Sequence, residues 1–174
     1  LFGGGQLANT GLQNIIDYIT IATIGNATDF GDLTLSRHHP GAASNGTRGM
    51  WAGGYQGGNP NYTNVMDYVT IASTGNATDF GNLSTWGHAY TSGTSDGTKG
   101  VFAGGYSSSY RNEILYVVIA TTGNANDFGD LTQARKNIAA ASDGTKGVFG
   151  GGYVTTAPYQ QNTMDYVTIA STGN

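Results

Sequence analysis

This sequence predicts an all-β chain of repeated four-stranded antiparallel units. Three observations carry that prediction: one block recurs about every 50 residues, Asn-Gly and Asp-Gly turns stand at matching places, and β-branched and aromatic residues alternate with glycines throughout.

The recurring block reads Asp17-Tyr18-Ile19-Thr20-Ile21-Ala22, then Asp67-Tyr68-Val69-Thr70-Ile71-Ala72, Leu115-Tyr116-Val117-Val118-Ile119-Ala120 and Asp165-Tyr166-Val167-Thr168-Ile169-Ala170. Successive copies are 50, 48 and 50 residues apart. After each of the first three copies comes Gly-Asn-Ala-Thr/Asn-Asp-Phe-Gly, which sets Phe30, Phe80 and Phe128 in register.

Four strands are predicted in each unit. A short first strand rich in small residues covers 42–44, 89–92 and 138–142, and it runs into turns at 45–48, 96–99 and 143–146. Asn-Gly and Asp-Gly supply the positive φ angles that a tight hairpin demands. The second strand pairs large apolar residues and then ends in glycines before Tyr55, Tyr106 and Tyr153, where close approach of neighbouring backbones is expected. The third strand is the Asp-Tyr-Val-Thr-Ile-Ala block, whose alternation puts packable side chains on both faces. The fourth runs through Asp79-Phe80-Gly81-Asn82-Leu83 and its equivalents. An antiparallel unit of four strands that needs cover on both faces is what a β-propeller blade requires, because each blade packs between two others.

Composition agrees with a folded β protein. Only 10% of the residues are charged, against about a quarter in ordinary domains, but 11 Tyr, 6 Phe and 2 Trp argue against disorder despite 29 glycines. Seven Lys and Arg face eleven acidic residues with no basic run, so nucleic acid is not an expected partner. No apolar stretch approaches the roughly 18 to 20 residues of a membrane-spanning helix, and no membrane insertion is expected. Zero cysteine excludes a disulfide scaffold and a thiolate zinc site.

The double glycine, the Tyr after it, the Asp-Tyr pair, the aromatic of the fourth strand (Phe30, Phe80, Phe128) and an Arg before the next unit (Arg37, Arg135) resemble the kelch-repeat β-propeller family over essentially the whole chain. Two features depart from that pattern. Phe replaces the usual Trp throughout, and the middle unit has Gly87 or a neighbour in place of the Arg. The string Asp-Tyr-Val-Thr-Ile-Ala-Ser-Thr-Gly-Asn-Ala-Thr-Asp-Phe-Gly also resembles tandem repeats of marine bacteriophage virion proteins, including tail-fibre-like proteins. The resemblance divides the chain into a partial blade at 1–36, blades at 37–85 and 86–133, and a partial blade at 134–174, all one propeller segment. About three and a half blades make an incomplete ring, since propellers use about 4 to 8. The expectation is an excerpt of a longer protein, with closure by association of chains as the alternative, because an open edge exposes unpaired backbone.

Comparison among the copies locates the candidate site. The loops between second and third strands (6–14, 56–64, 107–112, 154–162) and the connections between units (33–41, 83–89, 131–138) differ from copy to copy, and in an antiparallel blade both emerge on one face. That face is expected to display Arg37, His38, Tyr62, Trp86, His88, Tyr90, Tyr110, Arg135, Lys136 and Tyr159, along with His39. Aromatic residues among Ser, Gly and Asn give adaptable contacts to a protein, and aromatic faces suit sugars. Unrestrained drift of surface loops is the alternative.

Other patterns are weaker. His38-His39 with His88 are accompanied by no carboxylate-rich or closely spaced third ligand and read as solvent-exposed histidines rather than a metal site, and Asp29 with Asp32 and Asp127 with Asp130 read as turns rather than calcium ligands, since the middle copy has Asn82. Ser95-Asp96-Gly97-Thr98 resembles the Asp-box hairpin of sialidases, but only four arginines exist and no paired Glu and Tyr stand out. The copper site of kelch-containing galactose oxidase needs a cysteine, and the glycine runs lack the Lys-Ser/Thr of a phosphate loop. The Asn-Ala-Thr and Asn-Gly-Thr sequons belong to repeated turns. No cofactor, metal or catalytic residue is implied. The expected role is a non-enzymatic structural and adhesive segment of an extracellular particle, a phage fibre or appendage component in a virion. It would bind a host cell-surface glycan or protein receptor and other structural subunits, with homo-oligomers among them. The alternative is an intracellular kelch-type scaffold for protein partners.

Overall fold

A computed structural model of the chain describes residues 1–8 and 11–171. These residues form fourteen strands and no helix. Four antiparallel sheets follow one another along the chain. The first contains β1 (Phe2–Leu7), β2 (Gly11–Tyr18) and β3 (Thr28–Asp32), and the second β4 (Gly41–Ser44), β5 (Arg48–Ala52), β6 (Val65–Thr70) and β7 (Thr78–Asn82). The third contains β8 (Ser92–Ser95), β9 (Lys99–Ala103), β10 (Glu113–Val118) and β11 (Asn126–Asp130), and the fourth β12 (Ala139–Ser142), β13 (Lys146–Gly150) and β14 (Met164–Thr168). Within each sheet, strands adjacent in sequence pair, and among the described residues the four sheets do not close a ring.

The repeated turns follow one chemical recipe. Asn45, Asp96 and Asp143 each use Oδ1 to accept the N–H groups two and three residues on, at 2.7–3.0 Å. Ser44, Ser95 and Ser142 hold the amides of Gly46, Gly97 and Gly144. Within each of these turns only the glycine takes positive φ, between 82° and 87°, so the Asn or Asp serves as a side-chain acceptor and not as a second left-handed residue.

Apolar layers lie between consecutive sheets. Ile16 and Phe30 of the first sheet meet Trp51 and Val69 of the second. Met50, Met66 and Phe80 meet Phe102, Val117 and Ile119 of the third, and Val101, Ile114 and Phe128 meet Phe149, Val167 and Ile169 of the fourth. This is the outcome of strands that are packable on both faces.

Polar contacts at the sheet margins explain why some repeats are nearly verbatim. The Gly75 and Ala77 amides donate to the Phe30 and Asp32 carbonyls, while Asn76 Oδ1 accepts the Asp32 amide at 3.0 Å. Gly123, Asn124 and Ala125 do the same to Phe80 and Asn82. The Gly-Asn-Ala segment is therefore an inter-sheet lock as well as a turn. Arg48 and Lys99 lie over Tyr68 and Tyr116 of their own sheets and donate to the carbonyls of Ile119 and Ile169 in the next.

Several expected boundaries move, and the third strand ends at Tyr18, Thr70, Val118 and Thr168, before the Ile-Ala of the repeated block. In the third sheet the first strand is Ser92–Ser95 and not 89–92, because the strand must abut the turn at 96–99, while Ala89 makes an isolated bridge to Tyr106. In the first sheet much of the predicted loop 6–14 is strand, with Gln6 opposite Leu12 and Leu7 opposite Gly11.

Candidate functional site

Each unit reaches the next through a connection that docks on the double glycine. The amides of Gly5, Gly54 and Gly105 donate to the carbonyls of Arg37, His88 and Arg135 at 2.8, 2.7 and 2.8 Å. The preceding glycines have no room for a side chain: a Cβ on Gly4, Gly53 or Gly104 would run into those same carbonyls. His88 is thereby the structural counterpart of Arg37 and Arg135, with Gly87 beside it.

Arg37 and Arg135 require a correction. Both are wholly buried, and neither is displayed on the loop face. The Arg37 guanidinium meets the Asp67 carboxylate at 2.7 Å and the Val65 carbonyl at 3.0 Å, and Thr34 donates to the same carboxylate from its amide and hydroxyl. Burial lowers the Arg37 pKa while Asp67 opposes that shift. Arg135 repeats the latch with Asp165 at 2.5 Å, the carbonyls of Gly151 and Thr163, and Thr132 on the carboxylate. A buried guanidinium is tolerated only when paired and hydrogen-bonded, so these two arginines are architectural.

The remaining candidates fall into three groups. His38, Tyr62, Tyr90, Tyr110 and Lys136 come together in one aromatic belt. His38 bridges Tyr55 and Tyr55 bridges Tyr62, so a connection and a loop of the same unit adjoin. The His38 and Tyr55 rings lie 5.0 Å apart, followed by Tyr55–Tyr62 and Tyr62–Tyr106 at 5.7 Å and Tyr106–Tyr110 at 5.5 Å. Tyr90 sits 4.4 Å from His39, whose Nδ1 faces that of His38. The Lys136 ammonium rests 5.0, 5.2 and 5.3 Å from the rings of Tyr90, Tyr106 and Tyr110, a three-sided cation–π cage. Burial pushes the Tyr62 phenol above its ordinary value and the His38 and His39 imidazoles below theirs, so these three rings favour the neutral form.

Trp86 and His88 form a second group at a cavity of about 730 Å³ between the second and third sheets. Trp86 is 71% exposed on its rim, whereas His88 is buried. Tyr159 stands with Tyr153, stacked at 5.6 Å with ring planes 8° apart.

Neither a protein-family model nor a curated protein matches this chain.

The sequence comparison missed Tyr55 and Tyr106, which carry the belt from unit to unit. They recur with Tyr153 in three of the four copies, the first having Gln6, and so read as scaffold. It also missed Arg111 and Glu113, which line the cavity with His88. Glu113 had one signal, being the single glutamate in the chain. Among the described residues no group of three His, Cys, Asp or Glu is placed to hold a metal ion, and no helix is long and apolar enough to cross a membrane.

Proposed function

We propose that the chain is a non-enzymatic, adhesive β-propeller segment of an extracellular particle, a phage fibre or appendage component that binds a glycan or protein on a host surface. The observation that carries this reading is the segregation of its residues. Residues shared among units build turns and inter-sheet locks, and the buried latch recurs in two of them, while several that differ gather in the His38–Tyr62–Tyr90–Tyr110–Lys136 belt beside the Trp86 rim. Aromatic rings with a polar edge provide large contact area at small entropic cost.

A propeller arrangement is supported by how the sheets meet. The backbones of successive sheets come closest at their first strands, β4 against β8 and β8 against β12, as in blades around an axis. The virion setting rests on the wording of the repeat and on the low charge of the chain.

The test is adsorption of the labelled chain to intact bacterial cells after periodate or protease treatment. Binding abolished by periodate identifies a glycan, and binding abolished by protease identifies a protein. Failure to adsorb to any panel of intact cells would count against the adhesive reading.

A further inference from the structure

Departures from the repeat converge on one place, the cavity between the second and third sheets. Leu33 to Arg37 and Leu131 to Arg135 each span four steps, but Leu83 to His88 spans five, so the third unit carries a one-residue insertion at Trp86-Gly87. Gly87 has no freedom to be larger, because a Cβ would overlap the Tyr62 carbonyl. That tight passage accompanies an indole left 71% exposed at the cavity rim.

Inside the cavity the latch of the other units is dismantled as a pair. His88 stands for the arginine, and Leu115, opposite Phe102 as Asp67 is opposite Trp51, stands for the carboxylate. Ser84, the counterpart of Thr34, has lost its carboxylate partner and bonds the Trp86 carbonyl. New charges appear on the wall instead: Arg111 and Glu113 stand where the second unit has Thr63 and Val65. Arg111 donates to the Ser107 hydroxyl and lies 3.7 Å from Glu113, whose other oxygen is 3.4 Å from His88 Nε2. Burial and Arg111 depress the His88 pKa to about 4, so its contact with Glu113 is that of a neutral imidazole, not an ion pair. Asn64 and Asn82 add amide groups.

The third unit holds a cavity of about 730 Å³, within the roughly 300–1,000 Å³ of small-molecule sites. Arg111 faces three carboxylates on this wall, Glu113, Asp127 and Asp130, so the cavity is acidic on balance and offers little to an anionic ligand. These groups suit a ligand with many hydroxyl donors and acceptors and one apolar face for Trp86.

We propose that this cavity binds a neutral saccharide unit of one or two pyranose rings, stacked on Trp86 and hydrogen-bonded by Arg111, Glu113 and Asn64. This site deepens the adhesive reading above and rests on it for its biological source of sugar.

Fluorescence separates the two tryptophans, since Trp51 is buried and Trp86 exposed. The full chain is titrated with methyl glycosides of glucose, galactose, mannose and N-acetylglucosamine while acrylamide quenching is followed, and it is applied to a bacterial glycan array. The expected result is saturable protection of Trp86 by at least one sugar and matching array binding. His88→Arg with Leu115→Asp reinstalls the buried latch and is expected to weaken binding about tenfold or more, a change of about 1.4 kcal/mol, with the melting temperature maintained. Glu113→Gln, which needs no repacking, is expected to weaken the same binding if the double variant fails to fold. Unprotected Trp86 with every sugar and a blank array overturn the saccharide site. If the chain still adsorbs to cells in that case, the broader adhesive reading stands, whereas loss of both refutes the two together.

Discussion

The amide of Tyr90 donates to the His39 carbonyl at 3.0 Å, and the Tyr90 carbonyl in turn accepts the Asn137 amide at 3.2 Å. The three residues occupy one position in successive units and all have left-handed backbones, with φ of 56°, 62° and 55° for His39, Tyr90 and Asn137. A left-handed turn at each unit thus threads a line of hydrogen bonds from sheet to sheet, and in Tyr90 it also places an aromatic ring in the belt.

Left-handed backbone disfavours side chains branched at Cβ. Asn137→Val is therefore expected to cost about 1–2 kcal/mol and Asn137→Gly close to nothing. Urea unfolding of the two variants checks this. Equal losses would remove the backbone argument.

The buried latch predicts a strong asymmetry between single and paired changes. Asp67→Leu strands the Arg37 guanidinium inside the protein and is expected to cost about 3–5 kcal/mol. Adding Arg37→His copies the third unit's His88 and Leu115, and should recover most of the loss. A double-mutant cycle by chemical denaturation measures the coupling.

Asn76 and Asn124 are expected to act as inter-sheet locks. Asn76→Ala and Asn124→Ala each remove an acceptor for an amide of the preceding sheet, at a cost of about 1 kcal/mol. Thermal melts of the single and double variants test whether the two contributions add, as separate locks should.

Acid should destabilise the chain through His88. The unfolded chain binds a proton at the ordinary value of 6.5, but the folded chain does so only at about 4. Stability is then full above pH 6.5, falls as the pH drops from 6.5 towards 4, and levels off below as far as this group is concerned. The size is on the order of 3 kcal/mol. His38 and His39 are shifted in the same direction and add slope of the same sign. His88→Gln should flatten the curve measurably between those limits, and an unchanged slope would assign it elsewhere.

The all-β class and the hairpin turns were readable because their signals are local: Asp96-Gly97 and its counterparts announce a turn within four residues. The second-strand glycines were also readable, since nothing else permits the approach of the Arg37, His88 and Arg135 carbonyls. Long-range roles were hidden. Arg37 looks like a surface cation until Asp67, 30 residues on, is brought against it. The one-residue insertion at Trp86-Gly87 concealed that His88 takes the arginine's place, and with it the link between His88, Leu115 and Glu113. Recurrence itself misled at Tyr55 and Tyr106, which serve both the scaffold and the belt.

The proposed binding through the belt is tested by an adsorption isotherm on intact bacterial cells. Tyr62→Ser with Tyr110→Ser removes two rings of the belt and leaves every inter-sheet lock and latch in place. Adsorption at least about tenfold weaker with an unchanged melting temperature is the expected result. An isotherm that overlays that of the unaltered chain would contradict it.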